Sequence, residues 1–249
     1  MLNKSDKVAV AVSGGKDSLT VLSLLSKFGY NVFALAIDEG ISGYRDKTIV
    51  TMTQFCISRK IKYRIISFKD EFKKSLDSIL KQKNLHPCSV CGVFRRYLLN
   101  KYSKGYDVIA TGHNMDDEAQ AVIMNLSKNN LSAMERSGPV SGNSRYKTFT
   151  KRIKPLFFCS EKEVMVYSFI NNITSDFNEC PHVQKSYRMQ VRDELNQVKA
   201  SYETKKNILL WSLDNKTADD VHFDNVCRVC GETSSNLICK TCEMVSICS

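Results

Sequence analysis

A chain of 249 residues, 43% hydrophobic with only 11 glycines and 4 prolines, is long enough for one full core and a small appendage. Its 36 basic against 26 acidic side chains leave a net +10, a field that concentrates polyanions such as RNA without by itself establishing that one is bound. Ten cysteines are too sparse for a disulfide scaffold and fall into CxxC pairs, which favours metal ligation in a reducing compartment. The short apolar stretch of MLNKSDKVAVAV fits neither a signal peptide nor a membrane span, so a soluble, cytoplasmic protein is expected.

Residues 7–12 form a β-branched run ending in Ser-Gly-Gly, after which Leu19, Leu22, Leu25 and Phe28 recur at helical spacing, so strand, tight turn and helix are predicted. The alternation continues with strand at 31–37, helix at 46–59, strand at 62–66 and helix at 68–83, then helix at 91–102, strand at 107–111 and helix at 116–127. Buried strands separated by helices imply an α/β fold, a parallel twisted sheet flanked by helices, whose polar strand ends converge on one crevice. Residues 128–150 lack periodicity and read as a long surface connection, and helices resume at 161–171 and from 186 onward. The tail is compositionally separate, with five of the ten cysteines in the last 23 residues, so a principal domain over 1–222 and a small module over 223–249 are expected.

Ser13-Gly14-Gly15-Lys16-Asp17-Ser18 lies between the first strand and the first helix, where backbone N–H groups and the helix dipole meet a bound anion. Gly14 and Gly15 let the backbone approach phosphate oxygens, Ser13 and Ser18 can donate hydrogen bonds, Lys16 adds charge and Asp17 can hold Mg²⁺. It is not a Walker A loop, since Val10 stands where that motif has Gly and Asp17 follows Lys16 where Ser or Thr is needed; an ordinary Gly turn is the alternative.

Cys88-Ser89-Val90-Cys91 opens a helix, placing two thiols one turn apart near a dipole that favours thiolates, and Cys180 is a third thiol in Glu179-Cys180-Pro181-His182. In the tail, Cys227-x2-Cys230 and, eight residues on, Cys239-x2-Cys242 supply four soft ligands suited to a structural, tetrahedral Zn²⁺, with Gly231 giving the tight turn. Cys248 reads as a free thiol, and Cys56 and Cys159 as core or partly buried residues.

The string SGGKDS resembles the PP-loop of the N-type ATP pyrophosphatases, which cleave ATP between its α and β phosphates and activate a carbonyl oxygen as an adenylate. Within that superfamily, Ile37-Asp38-Glu39-Gly40-Ile41 with Gly43-Tyr44-Arg45, and Ala110-Thr111-Gly112-His113-Asn114 with Asp116-Asp117-Glu118-Ala119-Gln120, are similar to the TtuA/TtcA-type tRNA 2-thiouridine synthetases. Arg136-Ser137-Gly138-Pro139 and Lys154-Pro155-Leu156 extend the resemblance over nearly the whole chain. It implies ATP-dependent adenylation of a tRNA uridine C2 oxygen, followed by sulfur transfer. Ser13, Gly14, Gly15, Lys16, Asp17 and Ser18 would hold the ATP phosphates and Mg²⁺, with the adenosine near Asp38 and Gly112. Cys88, Cys91 and Cys180 would hold a [4Fe-4S] cluster, leaving one iron without a protein ligand as a place for sulfide. A Cys₃His zinc site completed by His86 or His182, and a redox disulfide between Cys88 and Cys91, compete with that reading.

Asp117, with Asp116 as the alternative, is the candidate catalytic or metal-binding carboxylate, the other being a helix cap. Related enzymes can carry Lys at the place of Arg95, and Arg does not readily lose a proton, so Arg95 is given an electrostatic role beside Arg96. Arg145, Lys147, Lys151, Arg152, Lys154, Arg188 and Arg192 could follow the tRNA backbone. The family usually begins with a cysteine-rich zinc module that has no counterpart in this sequence, so RNA is expected to be held differently, with a partner's help, or replaced by another substrate. Family enzymes often pair as homodimers, although no apolar stretch marks an interface. The sulfur donor (sulfide, a persulfide carrier or a ubiquitin-like thiocarboxylate protein) and the uridine, anticodon wobble or T-loop, are not written in the sequence. The rivals are a PP-loop ATP pyrophosphatase acting on another tRNA base or a small molecule, and a non-catalytic zinc and RNA-binding protein.

Overall fold

β-branched and aliphatic runs build the strands, and each is followed by a segment whose apolar residues recur at helical spacing. The computed structural model describes residues 1–135, 137–142, 150–175, 179–183, 186–216 and 225–248. In chain order its elements are β1 (Lys7–Ala11), α1 (Lys16–Lys27), β2 (Asn31–Asp38), α2 (Arg45–Ser58), β3 (Tyr63–Ser67), α3 (Phe68–Phe72), α4 (Leu76–Gln82), α5 (Pro87–Tyr102), β4 (Val108–Thr111) and α6 (Met115–Ser127). There follow α7 (Leu131–Glu135), β5 (Val140–Ser141), β6 (Lys151–Ile153), α8 (Glu161–Ile170), α9 (Tyr187–Gln197), α10 (Tyr202–Asp214), β7 (Asn225–Val226), β8 (Thr233–Ser234) and α11 (Lys240–Cys248).

The main sheet runs β3-β2-β1-β4-β6-β5, with all neighbours parallel except β5 on β6. The chain therefore moves outward from β1 to β3, then restarts on the other side of β1 with β4, and ligands of open α/β sheets bind at such a reversal. Side chains alternate across the sheet: Val8 and Val10 pack with Leu19, Leu22 and Met52, while Ala9 packs with Phe94, Leu98 and Ile109 on the opposite face. Each large aliphatic or aromatic side chain so buried contributes about 1.5–3 kcal/mol.

Four departures from the sequence reading have local causes. The helix expected over 68–83 is two helices, because Lys73 turns left-handed at φ +60° and Ser75 restarts the chain as a cap, accepting from Ser78 N at 3.1 Å. The connection over 128–150 contains α7 and β5, and β6, which was not expected, follows it. The helix from 186 onward breaks around Lys199, at φ +50°, into α9 and α10. The compositionally separate tail is docked on the main body: α11 packs on α5, and Cys248 is buried in the cluster that holds Phe94 and Leu98. The expected boundary at 222/223 falls outside the described residues. At the end of α8, Phe169 is 84% and Ile170 69% exposed, an apolar surface not anticipated from the sequence. No helix among the described residues is long and apolar enough to cross a membrane.

Candidate active site and metal centres

α1 begins where β1 ends, and the intervening turn is tight because Gly14 takes φ +91° against α2. A Cβ there would lie 2.3 Å from the Thr48 carbonyl oxygen. The loop is closed by its own hydroxyls: Ser18 Oγ accepts from Ser13 N at 3.1 Å and donates to Gly15 O at 3.0 Å. No side chain caps the start of α1, so the N–H groups of its first turn are available to an anion. Across the reversal, Gly112 at the end of β4 abuts α1 so closely that a Cβ would sit 2.7 Å from Ser18 N. Asp38, at the end of β2, accepts from Gly40 N at 2.9 Å. Gly14→Ala must strain a left-handed residue, which costs about 1–2 kcal/mol, and push back the α2 backbone at Thr48. A fall in ATP affinity of about tenfold or more is expected by calorimetry.

Asp17 Oδ1 accepts from Asn114 Nδ2 at 3.3 Å, and Oδ2 lies 3.2 Å from Lys16 Nζ, which also reaches Glu161 Oε1 at 2.9 Å. Burial pushes Asp17 above the usual carboxylate range, Lys16 opposes this and the charge of Asp117 adds to it. Asp117 completes a capping box on α6, its N–H donating to Asn114 Oδ1 at 3.0 Å and its carboxylate accepting from Asn114 N at 3.3 Å. Burial raises Asp117 as well, against the pull of Arg188 3.7 Å away. Asp116 instead binds Lys205 Nζ at 2.6 Å and Glu161 N at 2.7 Å, tying α6 to α10 and α8. Asp117 is therefore both a cap and the carboxylate facing the loop, whereas Asp116 is a tie between helices. A magnesium ion held by these raised carboxyls would compete with protons, so Mg–ATP affinity should then fall with decreasing pH, starting above the ordinary aspartate range; titrations at stepped pH check this.

The second centre grows from the start of α5, which begins at Pro87 after His86 without a side-chain cap. Cys88 is exposed, while Cys91 and Cys180 are partly buried. Burial pushes Cys91 up to about 11, Arg95 one turn on lowers it, and the charges of Cys180 and Cys88 both bear on it, which places the three thiols in one neighbourhood. Tyr44 and Arg95 sit beside Cys180 too. Among the described residues, one set of three or more Cys, His, Asp or Glu ligand atoms lies within 4.8 Å of one another, and it is the tail quartet. Cys88, Cys91 and Cys180 are spaced more widely than one tetrahedral ion requires, and His182 Nε2 lies 3.9 Å from Asp77 Oδ1. Three thiols in one neighbourhood, beyond the span of a single ion, suit a multi-iron cluster better than one zinc.

A buried ion pair connects the two centres. Arg45 donates to the carbonyl of Ser13, to the carbonyl of Ile37 and to Thr48 Oγ1 at 2.9 Å, and its Nε lies 2.9 Å from Glu39 Oε2. The other oxygen of Glu39 lies 3.7 Å from Arg95 Nη1. Both Arg45 and Glu39 are buried. The sequence names both only within the strings of the resemblance and gives neither a role, though two opposite charges stand six residues apart just past a strand that ends in the core.

The tail quartet is compact, with Cys230 Sγ and Cys239 Sγ 3.7 Å apart, against edges of about 3.8 Å for a tetrahedron of thiolates at about 2.3 Å from Zn²⁺. Although burial opposes it, N–H groups of Cys239, Cys230 and Val229 pull Cys227 down to about 6, toward the thiolate that a metal binds. The quartet leans on α5 through Tyr97 and through Lys104, 2.5 Å from Glu232.

The family model for the PP-loop domain matches residues 2–199. The chain belongs to the PP-loop family. It is 32% identical to the tRNA-5-methyluridine(54) 2-sulfurtransferase of Pyrococcus horikoshii over 98% of this chain and 79% of that protein. It is 30% identical to the cytoplasmic tRNA 2-thiolation protein 1 of Candida glabrata over 98% of this chain and 74% of that one. Among solved structures, the U34-tRNA thiolase NcsA from Methanococcus maripaludis with its [4Fe-4S] cluster matches at a TM-score of 0.84 and 32% identity, covering 99% of this chain and 82% of that chain.

On this PP-loop scaffold, Ser13 to Ser18, Gly112 and Asp117 meet at the sheet reversal, with Arg95 and the three cysteines reached through Glu39. Of the basic residues expected along RNA, Lys154 is held by Glu118 at 2.6 Å, Arg188 by Asp117, and Arg192 by Glu179 at 3.0 Å; Lys151 donates to the Met1 carbonyl. Lys154 is thus engaged in an ion pair within the fold. Arg145 and Lys147, and Arg136 of the resemblance, lie outside the described residues.

Proposed function

We propose that this chain is an ATP-dependent tRNA-uridine 2-sulfurtransferase built as a catalytic domain over 1–222 and a zinc module over 223–249. The observation that supports this most is the ion pair of Glu39 and Arg45, which joins a phosphate-binding loop to a three-cysteine centre in one crevice. The likeness to thiolation enzymes over nearly the full chain supports the same reading.

In this reading, Ser13, Gly14, Gly15, Lys16 and Ser18 cradle the phosphates, Asp17 holds Mg²⁺, and Asp38 and Gly112 border the adenosine. The uridine O2 bonds to the α phosphorus as pyrophosphate leaves, and the N3 proton passes to Asp117, whose burial makes it a better base. The sulfur of a hydrosulfide then bonds to C2 while the C2–O bond breaks and AMP departs with the oxygen, the S–H proton passing to N3. Bound by Cys88, Cys91 and Cys180, a [4Fe-4S] cluster supplies an iron free of protein ligands at which sulfur is presented. Arg95 stays charged beside these cysteines and offsets the negative charge gathered there. Cys227, Cys230, Cys239 and Cys242 hold Zn²⁺ as a structural ion. The name of the Candida glabrata relative supports a cytoplasmic location.

Anaerobically reconstituted protein, given a tRNA transcript, Mg–ATP and sulfide, should yield 2-thiouridine with matched AMP and pyrophosphate, read by nucleoside mass spectrometry. ATP cleavage without 2-thiouridine would hand the site to a cluster-free ligase or synthetase. Fragment mapping of the product separates position 34 from position 54, and replacing sulfide by a persulfide or thiocarboxylate carrier identifies the donor and its protein partner. Sizing by light scattering tests the homodimer. Chelating the tail metal should free residues 225–248 from α5, so Cys248, buried in the core, should become reactive to a thiol reagent.

A further inference from the structure

Among the described residues, two guanidiniums, one on the cysteine helix and one beside it, have no carboxylate in an ion pair with them. Cys88, Gly92, Arg96 and Asn100 recur at four-residue intervals and so share one stripe of α5. Arg96 folds back over Gly92, where a Cβ would lie 3.2 Å from its Nη1 and 3.5 Å from its Nη2, so glycine is what leaves the guanidinium that berth. At the far end of the stripe Arg152, projecting from β6, donates to Asn100 Oδ1. Burial, and then the charge of Arg96, push Arg152 down to about 10, and Arg96 is lowered by burial and by Arg95, with only the Cys91 thiolate pulling the other way. Among the described residues no carboxylate forms an ion pair with either one, whereas Lys154, Arg188 and Arg192 each have an acidic partner. Guanidiniums that depress one another with no carboxylate between them are stabilised by an anion, and a phosphodiester backbone offers oxygens to both.

We propose that Arg96 and Arg152 grip a backbone phosphate of the RNA strand that carries the target uridine, with Gly92 giving Arg96 the room to do so. This rests on the tRNA reading above. Eight residues separate Cys88 from Arg96, about 12 Å along the axis, and the fold-back of Arg96 shortens that by about one turn. The gripped phosphate therefore belongs to a near neighbour of the modified nucleotide. The rival source of phosphate is ATP, whose loop lies at the start of α1, across β1 and β4 from this stripe.

The test uses the anaerobically prepared holoprotein and a fluorescent tRNA transcript, with anisotropy titrations over a series of KCl concentrations and parallel ATP titrations. Arg96→Gln and Arg152→Gln should each weaken tRNA binding by about tenfold and reduce the slope of log affinity against log salt by about one, with ATP affinity unchanged. Arg152→Lys, which keeps the charge, should recover most of the affinity and guards against misfolding. Gly92→Ala, which keeps every charge, should weaken tRNA binding by displacing Arg96. Wild-type affinity and slope in both Gln variants overturn the proposal, and so does a matching loss of ATP affinity, which would make this a nucleotide site. Absence of tRNA binding by the wild type would sink the functional reading itself, a result distinct from either.

Discussion

Cys91→Ala is expected to give a protein that folds and binds ATP yet makes no 2-thiouridine. Cys91 lies one turn after Cys88 on α5 and one turn before Arg95, and it feels the charges of both other cysteines. Its removal leaves two thiols where three are needed. Changes merely outside a metal's ligands cost about 10–100-fold, so loss of a ligand should cost more than about 100-fold in sulfur transfer. Stability should change little, by about 1 kcal/mol, since the side chain is only partly buried. Anaerobic absorption spectra, iron content and nucleoside mass spectrometry read the result together. A variant that keeps its visible absorption and still thiolates tRNA would remove Cys91 from the centre. Cys180→Ala should behave alike.

Arg45→Met is expected to destabilise the protein by about 3–5 kcal/mol, the cost of leaving a buried carboxylate without its partner. Glu39 would keep only Arg95, at 3.7 Å, and the carbonyls of Ser13 and Ile37 would lose their donor. That is a large share of the about 5–15 kcal/mol that holds most domains folded, so ATP binding should fail with the fold. Urea denaturation measures it, and adding Glu39→Gln should restore part of the loss because the uncompensated charge is gone. An Arg45→Met protein with the wild-type midpoint would show that the pair does not hold the loop.

How far the sequence speaks depends on whether the determining contact is local. Val8 to Val12 and the loop after it are legible because a β-branched run and paired glycines act on adjacent residues. The break between α3 and α4 was hidden because Phe68, Phe72, Leu76 and Ile79 keep helical spacing straight through it. The three residues of β6 are too short for any period to appear. Which of Asp116 and Asp117 faces the loop is decided by Lys205, which arrives from a helix 89 residues further on. Glu39 and Lys154 carry charge, and charge reads as surface until the partner that permits burial, Arg45 or Glu118, is seen beside it.

Lys16, held between Asp17 and Glu161, has a consequence for turnover. Those two partners keep it above its ordinary pKa even though burial works the other way, so the loop cation is already neutralised before a ligand arrives. A monoanion gains little by displacing them, whereas a magnesium-bound polyphosphate, with several charges at once, does so readily. The contact thus sets a charge threshold for entry. A product that carries fewer charges would leave Glu161, the first residue of α8, better able to hold the lysine, which favours release.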